Sequence, residues 1–406
     1  MRHFKNYASY LLLVLGIIVG VIAGILFPNT KAITYPIGQI YFNILFVLIT
    51  PLVFFSIITS VLSTAKREST TNLLSKAFII FFLFSLVSSI IALVIGICFS
   101  GLISNSVTNY TNTKTVSKSI NFSSKIIDMV SVENFSDLFK SNSMIPLLIF
   151  AFLFATSINK LGKKAEKIQI FCIQMAEIFY QMIGYVMKLA PIGFACYISS
   201  SIVKMGTAVL SQFFSILIIF LVFCIFIYVM LYSLIVLSTT NIVNLKLYWK
   251  SILSPSLTAI ATASSTACIP VNIEACDKLG IKRTISLSMM PLGAILHKDG
   301  ATGATVLKLL LVLSICNIDF MNITTIFTII LTAIISGIIM GSVPGGGASS
   351  AVLIISIFNL PNEVLPTIIL LSTIFDMPAT LLNSVGNIPC ALIVQKFFSK
   401  NINDPF

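Results

Sequence analysis

The sequence predicts an all-α, polytopic membrane protein, and three observations predict it. The first is composition: 57% of the 406 residues are hydrophobic and 9% are charged, against roughly half apolar and a quarter charged in an ordinary soluble domain. The second is the length of the uncharged runs. Residues 8–30, 32–65, 77–113, 207–244 and 324–362 each exceed the roughly 20 residues that cross a bilayer as a helix. The third is a missing pattern. The alternating segments of a membrane barrel do not occur, so helices are left as the spanning element.

Taken in order, a first span is expected over 10–27, ended by Pro28, and a second over 37–62, where Pro51 should cause a bend. A third covers 77–101. Residues 104–143 are rich in Ser, Thr and Asn, too polar for lipid, and read as an extracellular loop. Further spans follow over 144–158, 168–202 and 207–237. The middle one carries Glu177 and Lys188, so part of it should face protein or water. The first apolar run is long enough to span and lacks a small-residue cleavage site, so no cleavable signal peptide is expected.

The formal net charge is +12. Lys and Arg gather in 1–6, 65–76, 159–167, 246–250, 278–283 and 396–400, clusters that can share one side of the bilayer. The positive-inside rule makes that side cytoplasmic. The expectation is a multi-pass protein of the cytoplasmic (inner) membrane with both termini inside. The lipid bilayer accounts for the charge, and no nucleic-acid partner is expected. The eight cysteines are scattered, without a CxxC pair or metal spacing. They read as small hydrophobes in packed helices. No GxxxxGK loop is present, which disfavours pumping by ATP.

The second half changes character. "SPSLTAIATASSTACIPVN" (254–272) is small and hydroxylic, and "GSVPGGGASSAVL" (341–353) is a glycine-rich break in an apolar stretch. Each precedes a helix with a buried acid, Asp299 and Asp376. Paired interruptions of this kind point to the midplane binding site of a transporter; the plainer alternative is two aqueous loops. In "PLGAILHKDGATGATVLK" (291–308), His297, Lys298 and Asp299 stand consecutively among apolar neighbours. In "LSTIFDMPATLLNSVGN" (371–387), Ser372, Asp376, Thr380, Asn383 and Asn387 follow helical spacing and are expected on one face. The Thr and Asn residues could serve helix packing alone. An unpaired Asp inside a membrane is costly, so Asp376 marks a cationic partner. Pro378 should kink this helix.

Five motifs in order carry a resemblance: "MKLAPIGFACYI" (187–198), "SSTACIP" (264–270), "PLGAILHKDG" (291–300), "VPGGG" (343–347) and "DMPATLLNSVGN" (376–387). They resemble the dicarboxylate/amino acid:cation symporter family, which includes the glutamate and aspartate transporters, over nearly the whole chain. The resemblance implies eight membrane helices plus two re-entrant helical hairpins, arranged as inverted repeats in a scaffold and an elevator-like transport domain, usually in a homotrimer. On that pattern, 1–76 holds scaffold helices 1–2, and 77–143 holds transport-domain helix 3 with the polar loop. Scaffold helices 4–5 fall in 144–206, transport-domain helix 6 in 207–250, and the transport core in 251–406.

The resemblance also implies site residues. Asp376 would take a substrate's ammonium, with Ala379 and Thr380 beside it. Asn383 and the tip Ser264, Ser265 and Thr266 would hold its carboxylate, and Val343 and Gly347 would line the site from the second hairpin. Ser88, Ser89, Gly293, His297, Lys298, Asp299, Asn383 and Asn387 fall at the cation-coupling positions, with Asp299 and Asn383 as candidate sodium ligands. No cofactor is implied, and the coupling ion is either sodium or a proton.

The departures are specific. Where acidic-substrate members carry Arg, this chain has Ala379, and the acid on which that Arg leans, seven residues earlier, is Ser372. A side-chain carboxylate would meet no arginine there, so a neutral amino acid is expected. The family's Asn-Met-Asp is His297-Lys298-Asp299 here, and a closing acid is Asn387. Sodium needs several oxygens at once, as hard cations do. Lys298 is therefore expected to place an ammonium beside Asp299 and replace a sodium, leaving proton coupling or weakened coupling. His297 is either a proton carrier or a satisfied buried histidine. The reading is a secondary transporter and not an enzyme. The alternatives are a transporter-like sensor or anion channel, and, less well supported, an intramembrane aspartyl protease using Asp299 and Asp376, for which the glycine-flanked motif is absent.

Overall fold

The computed structural model describes residues 2–65, 71–104, 131–140, 143–205, 208–240, 242–342 and 346–398, and it is helical throughout with no strand among them. The first helices are α1 (Arg2–Leu26), α2 (Lys31–Ala65) and α3 (Thr71–Cys98). Pro36 and Pro51 both lie within α2, which runs through them as one helix. The polar stretch expected as a loop lies mostly outside the described residues. Its described part forms a 3-10 turn, Phe135–Phe139, where Lys140 pairs with Asp137 at 2.6 Å. That pair holds the half-buried Asp137 carboxyl below the usual carboxylate range.

The single span expected over 168–202 is two helices. After α4 (Met144–Leu161), α5 (Glu166–Met187) ends at a turn over Lys188 and Leu189, and α6 (Ala190–Met205) begins anew. Pro191 explains the restart: without an N–H it suits a first helical turn and cannot continue the helix before it. Glu177 and Lys188 are both exposed, as expected. Helices α1 and α2 pack on α6, and α2 also packs on α4 and α5.

The sixth expected span is interrupted as well. Helix α7 (Ala208–Ile225) passes into a π-helical turn, Phe226–Leu231, before α8 (Tyr232–Thr239). A short α9 (Ile242–Ser251) leads to the first helix pair, α10 (Leu253–Thr262) and α11 (Ile269–Lys278). Ala263 ends α10 in the left-handed region (φ 44°), and Pro270 opens α11. The chain continues as α12 (Arg283–Leu296) and α13 (Asp299–Ile315). The second pair is α14 (Ile323–Ser342) and α15 (Gly346–Phe358), closed by Asn359 at φ 48°. Last come α16 (Leu365–Val385), which runs through Pro378, and α17 (Asn387–Phe398).

Helix α13 is the axis of this half. Every residue from Asp299 to Leu313 is buried, as a helix apolar nearly all round demands. It packs against α3, α7, α14 and α16. Among the described residues, six helical stretches are long and apolar enough to cross a membrane. Outward-facing residues such as Val47 (73% exposed) and Phe327 (67%) suit a lipid surround.

Candidate functional site

The chain "HKD" stands where a helix is broken. His297 and Lys298 take extended and irregular backbone angles (φ/ψ −87/113° and −140/47°), so α12 stops at Leu296 and Asp299 starts α13. The Asp299 carboxylate thus lies in a helix's first turn, where the peptide dipoles favour a negative charge. Its Oδ1 is 2.5 Å from His297 Nε2, a close polar contact off the hydrogen-bond line. Its Oδ2 accepts from Tyr232 OH at 2.8 Å, and its backbone oxygen accepts from Ser88 Oγ at 2.7 Å. His297 and Asp299 are both fully buried. The imidazole lies between the rings of Phe81 (5.3 Å) and Phe84 (5.5 Å), with Cys390 Sγ 3.8 Å from Nε2.

Lys298 is buried. Its Nζ donates to Ala294 O at 2.7 Å and to Ser265 Oγ at 3.3 Å, so it turns back along α12 and caps the tip of the first helix pair. The side chain in contact with the Asp299 Oδ1 is His297. The reason is local: the extended backbone of 297–298 sends successive side chains in opposite directions. At that tip, Ser264 Oγ and Thr266 Oγ1 bond each other at 3.0 Å, and Thr266 is exposed, so neither bonds Lys298. Ser89 Oγ is spent on Leu86 O within its own helix.

Helix α16 meets this break side-on. Asn383 Oδ1 accepts from Ala301 N at 3.2 Å, which satisfies a first-turn amide of α13. The backbones of Gly300 and Ala379 approach so closely that a Cβ on Gly300 would lie 2.6 Å from Ala379 Cα. Ala379 and Thr380 are buried, and Asp376 is half-buried on the same helix. The expected five-residue polar face is one residue too long. Helix α16 ends at Val385, and Asn387 opens α17, where its amide abuts Gly293 with neither polar atom bonded. Gly347 packs on Ser372, with a built Cβ only 2.5 Å from the Ser372 Cβ. Val343 lies outside the described residues.

Two participants went unread in the sequence. Tyr232 is aimed at Asp299 by the π turn before it, a device that apolar periodicity does not reveal. Lys308 is fully buried in α13, with Nζ 2.8 Å from Ser372 Oγ. It is an ionisable residue nine positions into an apolar helix, which was signal enough.

Comparison with known proteins decides the family. The model of the sodium:dicarboxylate symporter family matches residues 10–397. The chain belongs to this family. A proton/sodium-glutamate symport protein of Geobacillus stearothermophilus is 24% identical over 395 residues, 94% of this chain and 93% of the relative. A C4-dicarboxylate transport protein of Bacillus subtilis (strain 168) is 23% identical over 406 residues, 98% and 94% respectively. The human neutral amino acid transporter A is 26% identical over 255 residues, 60% of this chain and 46% of the relative. This member of the symporter family is therefore an integral membrane transporter and not an enzyme. Its two acids are consistent with that: Asp299 engages His297 and Tyr232, and does not form a dyad with Asp376.

Proposed function

We propose that this symporter carries an amino acid across the cytoplasmic membrane by an elevator motion, with coupling to protons in place of most of the sodium. The observation that carries the reading is the junction of α13 and α16, where a broken helix and an Asp-bearing helix share the Ala301–Asn383 bond. Irregular backbone at membrane depth is tolerated where it lines a binding cavity. In this reading α10–α11 and α14–α15 are the re-entrant hairpins, the second acting as the outer gate over Ser372. Helices α1, α2 and α4–α6 form the scaffold, a homotrimer is the assembly, and both termini are cytoplasmic. Asp376 receives the solute's ammonium, and Ser265, Thr380 and Asn383 orient its carboxylate.

The proton reading rests on how few oxygens remain for sodium. Both Asp299 carboxylate oxygens face protein groups, Ser88 and Ser89 donate to backbone carbonyls, and the Asn387 amide stands alone beside Gly293. A hard cation needs several oxygens together. Uptake of radiolabelled amino acids into proteoliposomes tests the function, with Asp376→Asn as the control. We expect accumulation by the native protein and its loss in the variant; binding without accumulation would support a sensor instead.

The expectation of a neutral solute rests on the absence of Arg at Ala379; the buried Lys308 lies two turns away, at Ser372.

A further inference from the structure

Lys308 is the least explained charge in the molecule. Its side chain is fully buried, on a helix whose other buried neighbours are mostly aliphatic. An ammonium has three donors. Among the described residues, the acceptor recorded for Lys308 is Ser372 Oγ, whose own proton goes to Ile368 O at 2.7 Å. Burying an ammonium on a single neutral hydroxyl is costly unless a negative charge also serves it. Ser372 and Asp376 are one helical turn apart on α16, so roughly 5–6 Å separates their Cβ atoms.

The core therefore holds two buried lysines at separate places. Lys298 stands at the Ser265 tip, and Lys308 stands at Ser372 beneath Gly347, one helical turn from Asp376. Resting on the substrate site proposed above, we propose that Lys308 is the specificity-determining residue of this transporter, receiving a second, side-chain carboxylate of the solute. On that site, with Ser265 and Lys298 at the α-carboxylate and Asp376 at the ammonium, the protein's groups run plus, minus, plus and complement an α-amino dicarboxylic acid, whose α-carboxylate, α-ammonium and side-chain carboxylate run minus, plus, minus. The side-chain carboxylate joins Ser372 on the Lys308 ammonium and fills a donor that the protein leaves over. A neutral amino acid leaves Lys308 with Ser372 alone. A plain dicarboxylate satisfies both lysines but gives Asp376 no ammonium.

The test is a competition panel on the native protein in proteoliposomes, followed by Lys308 variants. Aspartate and glutamate are expected to compete best, succinate less well, and alanine, serine and threonine least. In Lys308→Met the ratio of aspartate to alanine uptake is expected to fall about 10- to 100-fold, the span of a charged hydrogen bond. Adding Ala379→Arg to that variant should restore the ratio. Native protein that takes up neutral amino acids and excludes aspartate and glutamate would overturn the role of Lys308 while leaving the transport reading intact. A Lys308→Met variant with an unchanged ratio would do the same. Native protein that takes up no amino acid or dicarboxylate overturns the transport reading, and this proposal with it. The native panel stands even where the variant fails to fold.

Discussion

His297 occupies the space against Asp299 that a small cation would need, and much of the chemistry follows from that one contact of 2.5 Å. An imidazole shielded by Phe81 and Phe84 excludes water and presents a ring nitrogen where a sodium would need oxygens. Substituting His297→Asn removes the ring and returns an amide oxygen to the site. Sodium is then expected to raise the melting temperature of the variant more than that of the native protein, since binding to the native state stabilises it; equal shifts would count against the assignment. Tyr232 is the second testable residue. Tyr232→Phe deletes the donor to Asp299 Oδ2 and is expected to cost about 1.5–3 kcal/mol, the range for hydrogen bonds to charged groups. Thermal unfolding in detergent measures it, and an unchanged midpoint would show that water or His297 replaces the phenol.

At the scale of elements, the functional region is built from helices that stop early. The sequence announced these stops unevenly. Glycine, proline and small residues marked both helix pairs, and "HKD" marked the break between α12 and α13, because polar groups in an apolar run need a protein-lined place. The π turn at Phe226–Leu231 carried no such mark, since its residues are as apolar as those around them. Nor did the turn at Lys188 and Leu189, which the unbroken hydropathy of 168–202 concealed. The direction of Lys298 was beyond reach for another reason: it depends on backbone angles at two residues, not on spacing. The second helix pair yields its own prediction. A methyl on Gly347 would push against Ser372, so Gly347→Ala is expected to hold α15 off α16. Solute affinity should then fall about tenfold or more while the melting temperature changes little, because overpacking at a movable tip is relieved by displacement. Unchanged affinity would place the solute elsewhere.

The whole molecule divides by packing into helices gathered around α2 and helices gathered around α13. The buried centre of α13 ties the second group together, with Thr305 bonded to Ser336 and Ser336 to Ser350 across the second helix pair. Amide exchange is expected to be slowest in α13 and faster near the tips at 263–268 and 346–348, because protection follows burial. The same region holds Lys298, Lys308 and Asp299, all buried, and the half-buried Asp376. In the coupling proposed above, few oxygens remain for sodium there, and a proton is the small cation that drives uptake. The most direct measurement is aspartate accumulation in proteoliposomes under an imposed proton gradient without sodium, set beside a sodium gradient at equal pH. Accumulation driven by the proton gradient and little changed by sodium is the predicted result; accumulation that requires the sodium gradient would contradict it.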